Sequence, residues 1–287
     1  MSTFQDRVKG HLANYKNNTL NINENGIYRR NNRRYQHILP DLDKQMNILK
    51  TYKQEFYNSS YQKISYHPDF HHLNSSQAMC INFFYPLIKE KRLDLILGIL
   101  GITGQINYDP ERENILFEKK SDLDKYSQGN QTNFDFYIKL DSGTNIYFEI
   151  KYTENNFGKA DLNGALKSKD PDKYAKKYKD LYKPLLANNP AINKDYKTEA
   201  EFYNNYQLLR NLLHINKDSY VIFIYPEENS GISKGVMLAK NNIIEKGWES
   251  HFIPITWEDI VAQLSCKLTG DLLTYYQIDF TDKYLKY

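Results

Sequence analysis

The sequence predicts a mixed α/β fold in which helices pack against a central sheet. An apolar segment at 77–89, preceded by residues that cap helices well, has the length of a core helix. Two strand-like segments follow at 134–140 and 145–152, and an amphipathic segment at 198–215 precedes an apolar run at 220–225. Elements in this order can form one sheet with helices packed on it.

Residues 1–66 are predicted to form a helical N-terminal extension ahead of a main domain at 67–287. Helical spacing covers 3–15 and 42–57, and an arginine-rich stretch separates the two segments. That stretch contains Arg29, Arg30, Arg33 and Arg34. Such a cluster is suited to phosphate contacts, and a solvated loop or helix face is the alternative interpretation.

The middle of the chain predicts two core helices and then several strands. The helices cover 77–89 and 91–99, and short strand candidates lie at 105–108 and 115–118. The better strands at 134–140 and 145–152 flank a short loop containing Gly143, which indicates a hairpin. In the second of them apolar residues alternate with Tyr147, Glu149 and Lys151, so one face is apolar and the other is charged.

The chain beyond the hairpin begins with a lysine-rich insertion at about 167–194, whose middle, 172–186, has helical spacing and a basic exposed face. This insertion could serve as a lid. Then follow a helix at 198–215, strands at 220–225 and 252–255, and helices at 257–264 and 270–284.

The composition excludes several classes of protein. Cys80 and Cys266 are too few for a disulfide framework, and neither has zinc-ligand spacing to a second ligand. The first residues lack an apolar leader, and no apolar run approaches the length of a membrane span. We therefore expect a soluble cytoplasmic protein without a membrane partner. The net charge of +3 does not by itself indicate a polyanionic partner.

The residues with the clearest chemical meaning lie at 133–159, NFDFYIKLDSGTNIYFEIKYTENNFGK. The hairpin places Asp135 on one strand and Glu149 and Lys151 on the same face of its neighbour, so the three can converge. Two carboxylates at one point repel each other unless a hard divalent cation such as Mg²⁺ lies between them. The alternative is a surface strand with a cross-strand ion pair.

This segment resembles the PD-(D/E)XK phosphodiesterase superfamily, which includes type II restriction enzymes and many repair nucleases. The resemblance covers about 77–225 and implies an αβββαβ core. It assigns the first acid to Asp135, with Phe134 in place of the family's proline, and the E-x-K motif to Glu149 and Lys151. It also implies Mg²⁺ as the cofactor, which Mn²⁺ can replace, and a water activated next to Lys151.

A finer similarity lies in SSQAMCINFFYPL, FEIKYTENNFGKA and YQLLRNLL, which together resemble bacterial restriction-endonuclease-like proteins. In such proteins a Q-x-x-R on the following helix leans towards the site, which implies roles for Gln207 and Arg210. Either Arg210 binds the scissile phosphate or it fixes a carboxylate; the alternative is an ordinary surface arginine. The resemblance also implies a third acid, for which Glu118 is the preferred metal ligand.

Three further polar residues or groups are weighed beside these. Glu154 is expected to support Lys151 from outside the ligand set or to cap the turn after it. Gln77, at the start of its helix, could face the site, but a solvated side chain is the favoured interpretation. The histidines at 67, 71 and 72 have no visible partner ligands, so an irregular loop is favoured over a zinc site.

Taken together, the residues and the resemblance predict a Mg²⁺-dependent endodeoxyribonuclease acting in restriction or phage defence. Its partner is expected to be double-stranded DNA, gripped by the arginine-rich stretch and the lysine-rich insertion. A homodimer would cut both strands most easily. The alternatives are a DNA repair or recombination nuclease, and a binding module that retains the nuclease fold without catalysis.

Overall fold

The structure of the protein is a computed structural model that describes residues 2–125 and 131–287. Its α-helices are α1 (Phe4–Asn18), α2 (Lys50–Asn58), α3 (Ser76–Lys89), α4 (Leu93–Ile99), α5 (Leu162–Leu166), α6 (Lys173–Lys177), α7 (Lys183–Asn188), α8 (Glu199–Asn204), α9 (Tyr206–Leu212), α10 (Ser230–Leu238), α11 (Trp257–Ser265), α12 (Gly270–Thr274) and α13 (Thr281–Tyr284). Its strands are β1 (Gly26–Tyr28), β2 (Arg33–Tyr35), β3 (Ile115–Lys120), β4 (Asn133–Lys139), β5 (Asn145–Ile150), β6 (Ser219–Tyr225) and β7 (Phe252–Thr256). Turns of 3₁₀-helix lie at Asp41–Asn47, Ser60–Gln62, Pro110–Arg112, Lys194–Tyr196 and Glu249–His251, and π-helical turns at Tyr178–Tyr182, Ala239–Ile243 and Tyr275–Phe280.

The central sheet has the strand order β3-β4-β5-β6-β7. The first three strands form an antiparallel meander, whereas β6 pairs parallel to β5 and β7 parallel to β6. Parallel neighbours require a crossover, and helices α5 to α9 supply it between β5 and β6. This five-stranded mixed sheet among helices confirms the mixed α/β class and is consistent with a restriction-endonuclease-like fold.

The predicted hairpin is formed by β4 and β5. Lys139 pairs with Asn145 at the loop end of the ladder, and Phe136 pairs with Phe148 farther along. The loop turns at Gly143, whose φ of 90° suits glycine far better than other residues. The predicted strand at 105–108 was wrong, because that segment makes only an isolated bridge between Ile106 and Leu140.

One face of the sheet is covered by α3, which is buried along most of its length. The Ser75 side chain caps the helix by accepting a hydrogen bond from the Ala78 N–H. Phe84 of α3 stacks on Phe136 of β4 with ring centroids 3.9 Å apart. Burial of such side chains contributes roughly 1.5–3 kcal/mol each, so this interface anchors the hairpin against the first helix layer.

The opposite face packs against helices from the crossover. The lysine-rich segment is helical from Lys173 to Asn188 through α6, a π-helical turn and α7, which confirms the helix predicted at 172–186. The single helix predicted at 198–215 was wrong, because the chain breaks into α8 and α9 at Asn205, whose φ of −121° and ψ of 36° are not helical. Helix α10 and the π-helical turn after it were not predicted.

The N-terminal region contains a β-hairpin as well as helices. The arginine-rich stretch forms the β1–β2 hairpin, and the helix predicted at 42–57 is divided into a 3₁₀ turn and α2. Helix α1 packs against the C-terminus: the Phe4 and Tyr287 rings are 5.2 Å apart, and His11 Nε2 hydrogen-bonds the Asp282 carbonyl at 2.8 Å. The two ends of the chain therefore share one hydrophobic core.

The C-terminal elements match their predictions closely. Strand β7 and helix α11 lie where the sequence placed them, and the helix predicted at 270–284 runs as α12, a π-helical turn and α13. Within the described residues, no helix combines the length and the apolar character that crossing a membrane requires.

Candidate active site

The charged face of β5 lies at the end of the sheet where the β4–β5 ladder stops. The last ladder pair joins Phe136 to Phe148, and beyond it the Ile150 N–H donates to Asp135 Oδ2 at 2.7 Å instead of to a backbone carbonyl. A carboxylate thus takes the place of a backbone acceptor. The structure brings Asp135 to the same end of the hairpin as Glu149 and Lys151.

Glu149 and Lys151 form a buried ion pair. The Lys151 Nζ to Glu149 Oε1 distance is 2.8 Å, and the two side chains are only 6% and 4% exposed. Strand β6 fixes their backbone, because Glu149 is paired with Phe223 and the Lys151 N–H donates to the Ile224 carbonyl at 2.9 Å. Charges buried to this degree require partners, and each side chain is the partner of the other.

Gln207 reaches this pair from α9. Its Nε2 donates to Glu149 Oε1 at 2.9 Å, while its Oε1 accepts from the Gly158 N–H at 3.3 Å. The Gln207 backbone N–H in turn donates to the Gly158 carbonyl at 3.0 Å. The amide is therefore held at both ends, and it points one donor at the carboxylate predicted to bind metal.

The electrostatic setting of Lys151 favours its charged form. Burial alone would lower its pKa, but the negative charges of Glu149 and Glu154 outweigh that effect, so the pKa of Lys151 lies above its usual value. Glu154 also accepts the Tyr152 N–H at 2.7 Å, a bond that caps the turn after β5. Lys151 is thus a fixed cation at neutral pH and is better suited to holding a negative group than to removing a proton.

The loop after β5 is clamped by α10. Asn229 Nδ2 donates to the carbonyls of Tyr152 at 3.0 Å and Glu154 at 2.9 Å. Gly231 approaches so closely that an added Cβ would lie 1.9 Å from the Asn155 carbonyl oxygen. The helix therefore sets the path of the chain directly beyond Lys151.

Asp135 lies in an acidic environment. Burial raises its pKa well above the usual value, and the neighbouring charges of Glu149 and Glu118 raise it further. The charges of Glu149 and Glu118 are therefore close enough to disfavour the ionisation of Asp135.

Glu118 has a hydrogen-bonding network of its own. Its carboxylate accepts from Gln77 Nε2 at 2.7 Å and from the Asn133 amide, and His67 Nε2 lies 3.5 Å away. The hydrogen bond to Glu118 raises the pKa of His67. Glu118 also has a φ of 57°, a left-handed backbone conformation that is strained for a residue with a side chain.

Gln77 was expected to be solvated, and that expectation was wrong. It is 2% exposed. Besides Glu118, it bonds the Ser65 carbonyl and the His67 N–H at 3.0 and 2.9 Å. The sequence does contain a signal for this burial. A lone glutamine at the beginning of an almost wholly apolar helix must bury its amide, and a buried amide needs hydrogen-bond partners.

The acids at the end of the hairpin carry the type of donor atom that Mg²⁺ requires. Carboxylate oxygens are the ligands a hard cation prefers, and Asp135 and Glu149 supply them at one end of the hairpin. Across residues 2–125 and 131–287, however, no three His, Cys, Asp or Glu side chains come together closely enough to form a ligand cluster. The chemistry of these two acids suits such a cation, and Asp135, Glu149 and Glu118 as its ligands stay predictions.

Arg210, predicted beside Gln207, lies in a different cluster. It forms an ion pair with Asp124 at 3.1 Å and donates from Nε to the Tyr182 hydroxyl at 2.8 Å. Asp124 is 1% exposed and also accepts from Tyr182 and from both donors of Thr132. This cluster joins the crossover helices to the residues before β4. The phosphate contact of Arg210 stays a prediction, and Asp124 was not anticipated.

The arginine hairpin, β1–β2 with Arg29, Arg30, Arg33 and Arg34, lies on the surface. Arg29 pairs with Asp41 at 2.8 Å, Arg34 with Glu24 at 2.9 Å and Arg30 with Asp69 at 3.7 Å. Exposed pairs of this kind contribute about 0–1 kcal/mol, so the guanidinium groups can exchange these partners for phosphates.

A cavity of about 410 Å³ is lined by Arg29 of this hairpin and, among others, by Asp41, Lys44 and His67. His67 Nε2 lies 3.5 Å from Glu118, so the lining of this cavity reaches one of the predicted acids.

His214, which follows α9, is buried. It is 5% exposed, and its Nε2 lies 2.7 Å from Ser121 Oγ.

Comparison with known proteins gives one family. A model described as "Restriction Endonuclease associating with ARP" matches residues 9–285. No curated protein and no solved structure matches the chain.

Proposed function

The chain belongs to the family of restriction endonucleases associating with ARP, and on that premise we propose that it is an endonuclease that hydrolyses DNA phosphodiester bonds with Mg²⁺. In this proposal the core from α3 to β6 is the αβββαβ unit of the PD-(D/E)XK superfamily. The earlier part of the chain, with the arginine hairpin, contacts the DNA backbone.

The convergence on Glu149 carries the proposal. A buried carboxylate receives both the Lys151 ammonium at 2.8 Å and the Gln207 amide at 2.9 Å, and Asp135 lies at the same end of the hairpin. A merely structural ion pair does not need a second acid, and burying one beside the pair is costly. A site that receives a cation and a phosphate accounts for that cost.

The proposed roles follow from these positions. Mg²⁺, when bound by Asp135 and Glu149, would neutralise phosphate charge and lower the pKa of a water molecule bound to it. Lys151 holds its positive charge beside the acids and stabilises negative charge that develops on the phosphate. Gln207 fixes the orientation of Glu149. Asn229 holds the carbonyl groups one and three residues beyond Lys151, those of Tyr152 and Glu154, and so restrains the backbone next to it.

DNA is the proposed substrate because of the family and because of the cationic surfaces beside the site. The exposed arginine hairpin and the lysine-rich helices α6 and α7 can neutralise several phosphates, and such contacts make binding depend strongly on salt. The family description also names an association with ARP, and the proposal extends that association to this chain without assigning a surface to it.

The test is cleavage of plasmid and bacteriophage DNA in Mg²⁺ and in EDTA. The wild-type protein is compared with Lys151→Ala and with Lys139→Ala, a matched control on the exposed end of β4. We expect discrete fragments in Mg²⁺ from the wild type and the control, and no fragments in EDTA or from Lys151→Ala. Loss from DNA ends would favour a repair nuclease instead. Equal activity of Lys151→Ala and the wild type would refute the assignment of the site.

A further inference from the structure

A small cavity beside the arginine hairpin is lined by four aromatic rings. The ring centroids form a closed circuit of edge contacts: Tyr28–Tyr35 at 6.1 Å, Tyr35–His37 at 5.9 Å, His37–His72 at 6.3 Å and His72–Tyr28 at 5.3 Å. The cavity measures about 240 Å³. Sites for drug-sized ligands measure about 300–1,000 Å³, so this one suits a smaller, planar ligand.

Two buried polar atoms of this cavity's residues lack hydrogen-bond partners among the residues that the structure describes. They are His72 Nε2 and Asn74 Oδ1. Asp69 Oδ1 lies 3.7 Å from His72 Nε2, which is too far for a hydrogen bond. Buried polar atoms in proteins are normally hydrogen-bonded, so a ligand that brings its own donor and acceptor would complete this site.

The charges around the cavity suit a neutral ring attached to an anionic chain. Lys9 lines the cavity, and the Arg30 guanidinium lies 6.0 Å from the Tyr28 ring centroid, at the level of the arginine hairpin. Burial lowers the pKa of His37 to about 3 and that of His72 to about 4, so both rings are neutral at neutral pH. The ring-lined wall is therefore uncharged, and the lining also contains Lys9 and Asp69, which carry opposite charges.

We propose that this cavity holds one nucleobase extruded from bound DNA, with its ring against the aromatic wall and its polar edge on His72 and Asn74. Enzymes that extrude a base hold it by stacking and by hydrogen bonds to its edge, and both are provided here. The inference rests on the proposed function, since it takes DNA as the bound polymer.

The cavity is connected to the cleavage site through Asn74. Its Nδ2 donates to Thr153 Oγ1 at 2.7 Å, and Thr153 is two residues beyond Lys151. A base held by the Asn74 carbonyl oxygen would therefore be bonded to a residue that also restrains the loop after β5. Asn74 would therefore link recognition of the base to the position of the scissile phosphate.

The test compares two fluorescently labelled duplexes of equal length, one fully paired and one with a single central adenine opposite an abasic site. Binding of the full-length protein is measured by fluorescence anisotropy in Ca²⁺. We expect the wild type to bind the second duplex about tenfold tighter or more, because its adenine has no base-pairing energy to lose. Tyr28→Ala and Asn74→Leu should remove this preference, so that each variant binds the two duplexes with affinities within about twofold of each other.

The controls separate this inference from the proposed nuclease activity. Tyr220→Ala, a half-buried tyrosine at the far end of β6, and Lys151→Ala should both keep the preference. Equal affinity of the wild type for both duplexes, or a preference that survives in both cavity variants, would overturn the inference and leave DNA cleavage untouched. Failure of the wild type to bind or cut any DNA would count against both. If Asn74→Leu does not fold, as judged by circular dichroism, the hairpin variant Tyr28→Ala decides.

Discussion

The buried pair of Glu149 and Lys151 allows a stability prediction that does not depend on catalysis. Replacing Lys151 by Met keeps most of the apolar stem but removes the ammonium 2.8 Å from Glu149 Oε1. Breaking a buried pair in this way costs about 3–5 kcal/mol, because an unpaired charge remains. Glu149 still accepts from Gln207 at 2.9 Å, so we expect the lower end of that range.

A loss of about 3 kcal/mol lowers the folding equilibrium constant roughly 150-fold. It can be measured by urea unfolding in EDTA, followed by tryptophan fluorescence. Trp257 is a local reporter, because its indole N–H donates to the Lys151 carbonyl at 3.0 Å. The double variant Glu149→Gln, Lys151→Met should recover most of the loss, since a neutral amide replaces the unpaired carboxylate.

The pH dependence gives a second check on the same variant. A buried carboxylate without a cationic partner destabilises the fold only in its charged form, so a lower pH relieves the cost. The deficit of Lys151→Met should therefore shrink as the pH falls. A deficit below about 1 kcal/mol at neutral pH, with no recovery in the double variant, would refute the view that this pair is excluded from water.

Four further predictions follow. Asp135 has a raised pKa, so its ionised form destabilises the fold at neutral pH. Asp135→Asn should therefore abolish cleavage but raise Tm in EDTA, by about 2–4 °C for each kcal/mol of stability gained. A lower Tm in calorimetry would contradict this prediction. Burial lowers the pKa of His37 to about 3, so the neutral ring stabilises the fold above about pH 6.5 and this stabilisation is lost as the pH falls. Between about pH 6.5 and 5, the free energy of unfolding in urea should therefore fall by about 2 kcal/mol less in His37→Phe than in the wild type. Gly231→Ala should displace the loop after β5 and reduce cleavage strongly, whereas Gly10→Ala, with no atom within 4 Å of its added Cβ, should stabilise α1 by about 0.5–1 kcal/mol. Arg33→Ala should reduce the slope of log K against log salt for DNA binding by roughly 1, and an unchanged slope would remove Arg33 from the interface.

The hairpin and the convergence of its acids could be predicted because both depend on local rules. Strict alternation sets which side chains share a face, and a short loop containing Gly143 leaves little freedom in register. Those rules bring Asp135 near Glu149 before any tertiary contact is known. The same reasoning failed at 105–108, where a few apolar residues resembled a strand without pairing beyond Ile106.

The parts that could not be predicted depend on contacts between distant residues. Gln77 bonds Glu118 across 41 positions of sequence, and Arg210 bonds Asp124 across 86. No periodic pattern encodes such pairs. The β1–β2 hairpin was missed for another reason: each strand has three residues, and β2 is mostly exposed arginine and tyrosine, so neither strand shows an apolar face.

The charges at the end of the hairpin explain why one set of residues could serve both folding and cleavage. Asp135 and Glu149 lie at one end of the hairpin with the buried ammonium of Lys151, and burial together with the charges of Glu149 and Glu118 raises the pKa of Asp135. In the metal-free protein Lys151 and Gln207 hold Glu149, while Asp135 relies on one backbone N–H. A divalent cation beside Asp135 would offset negative charge that the Lys151 ammonium leaves uncompensated. If it binds as proposed, Mg²⁺ should raise Tm in the wild type, and much less in Asp135→Asn, before any DNA is added.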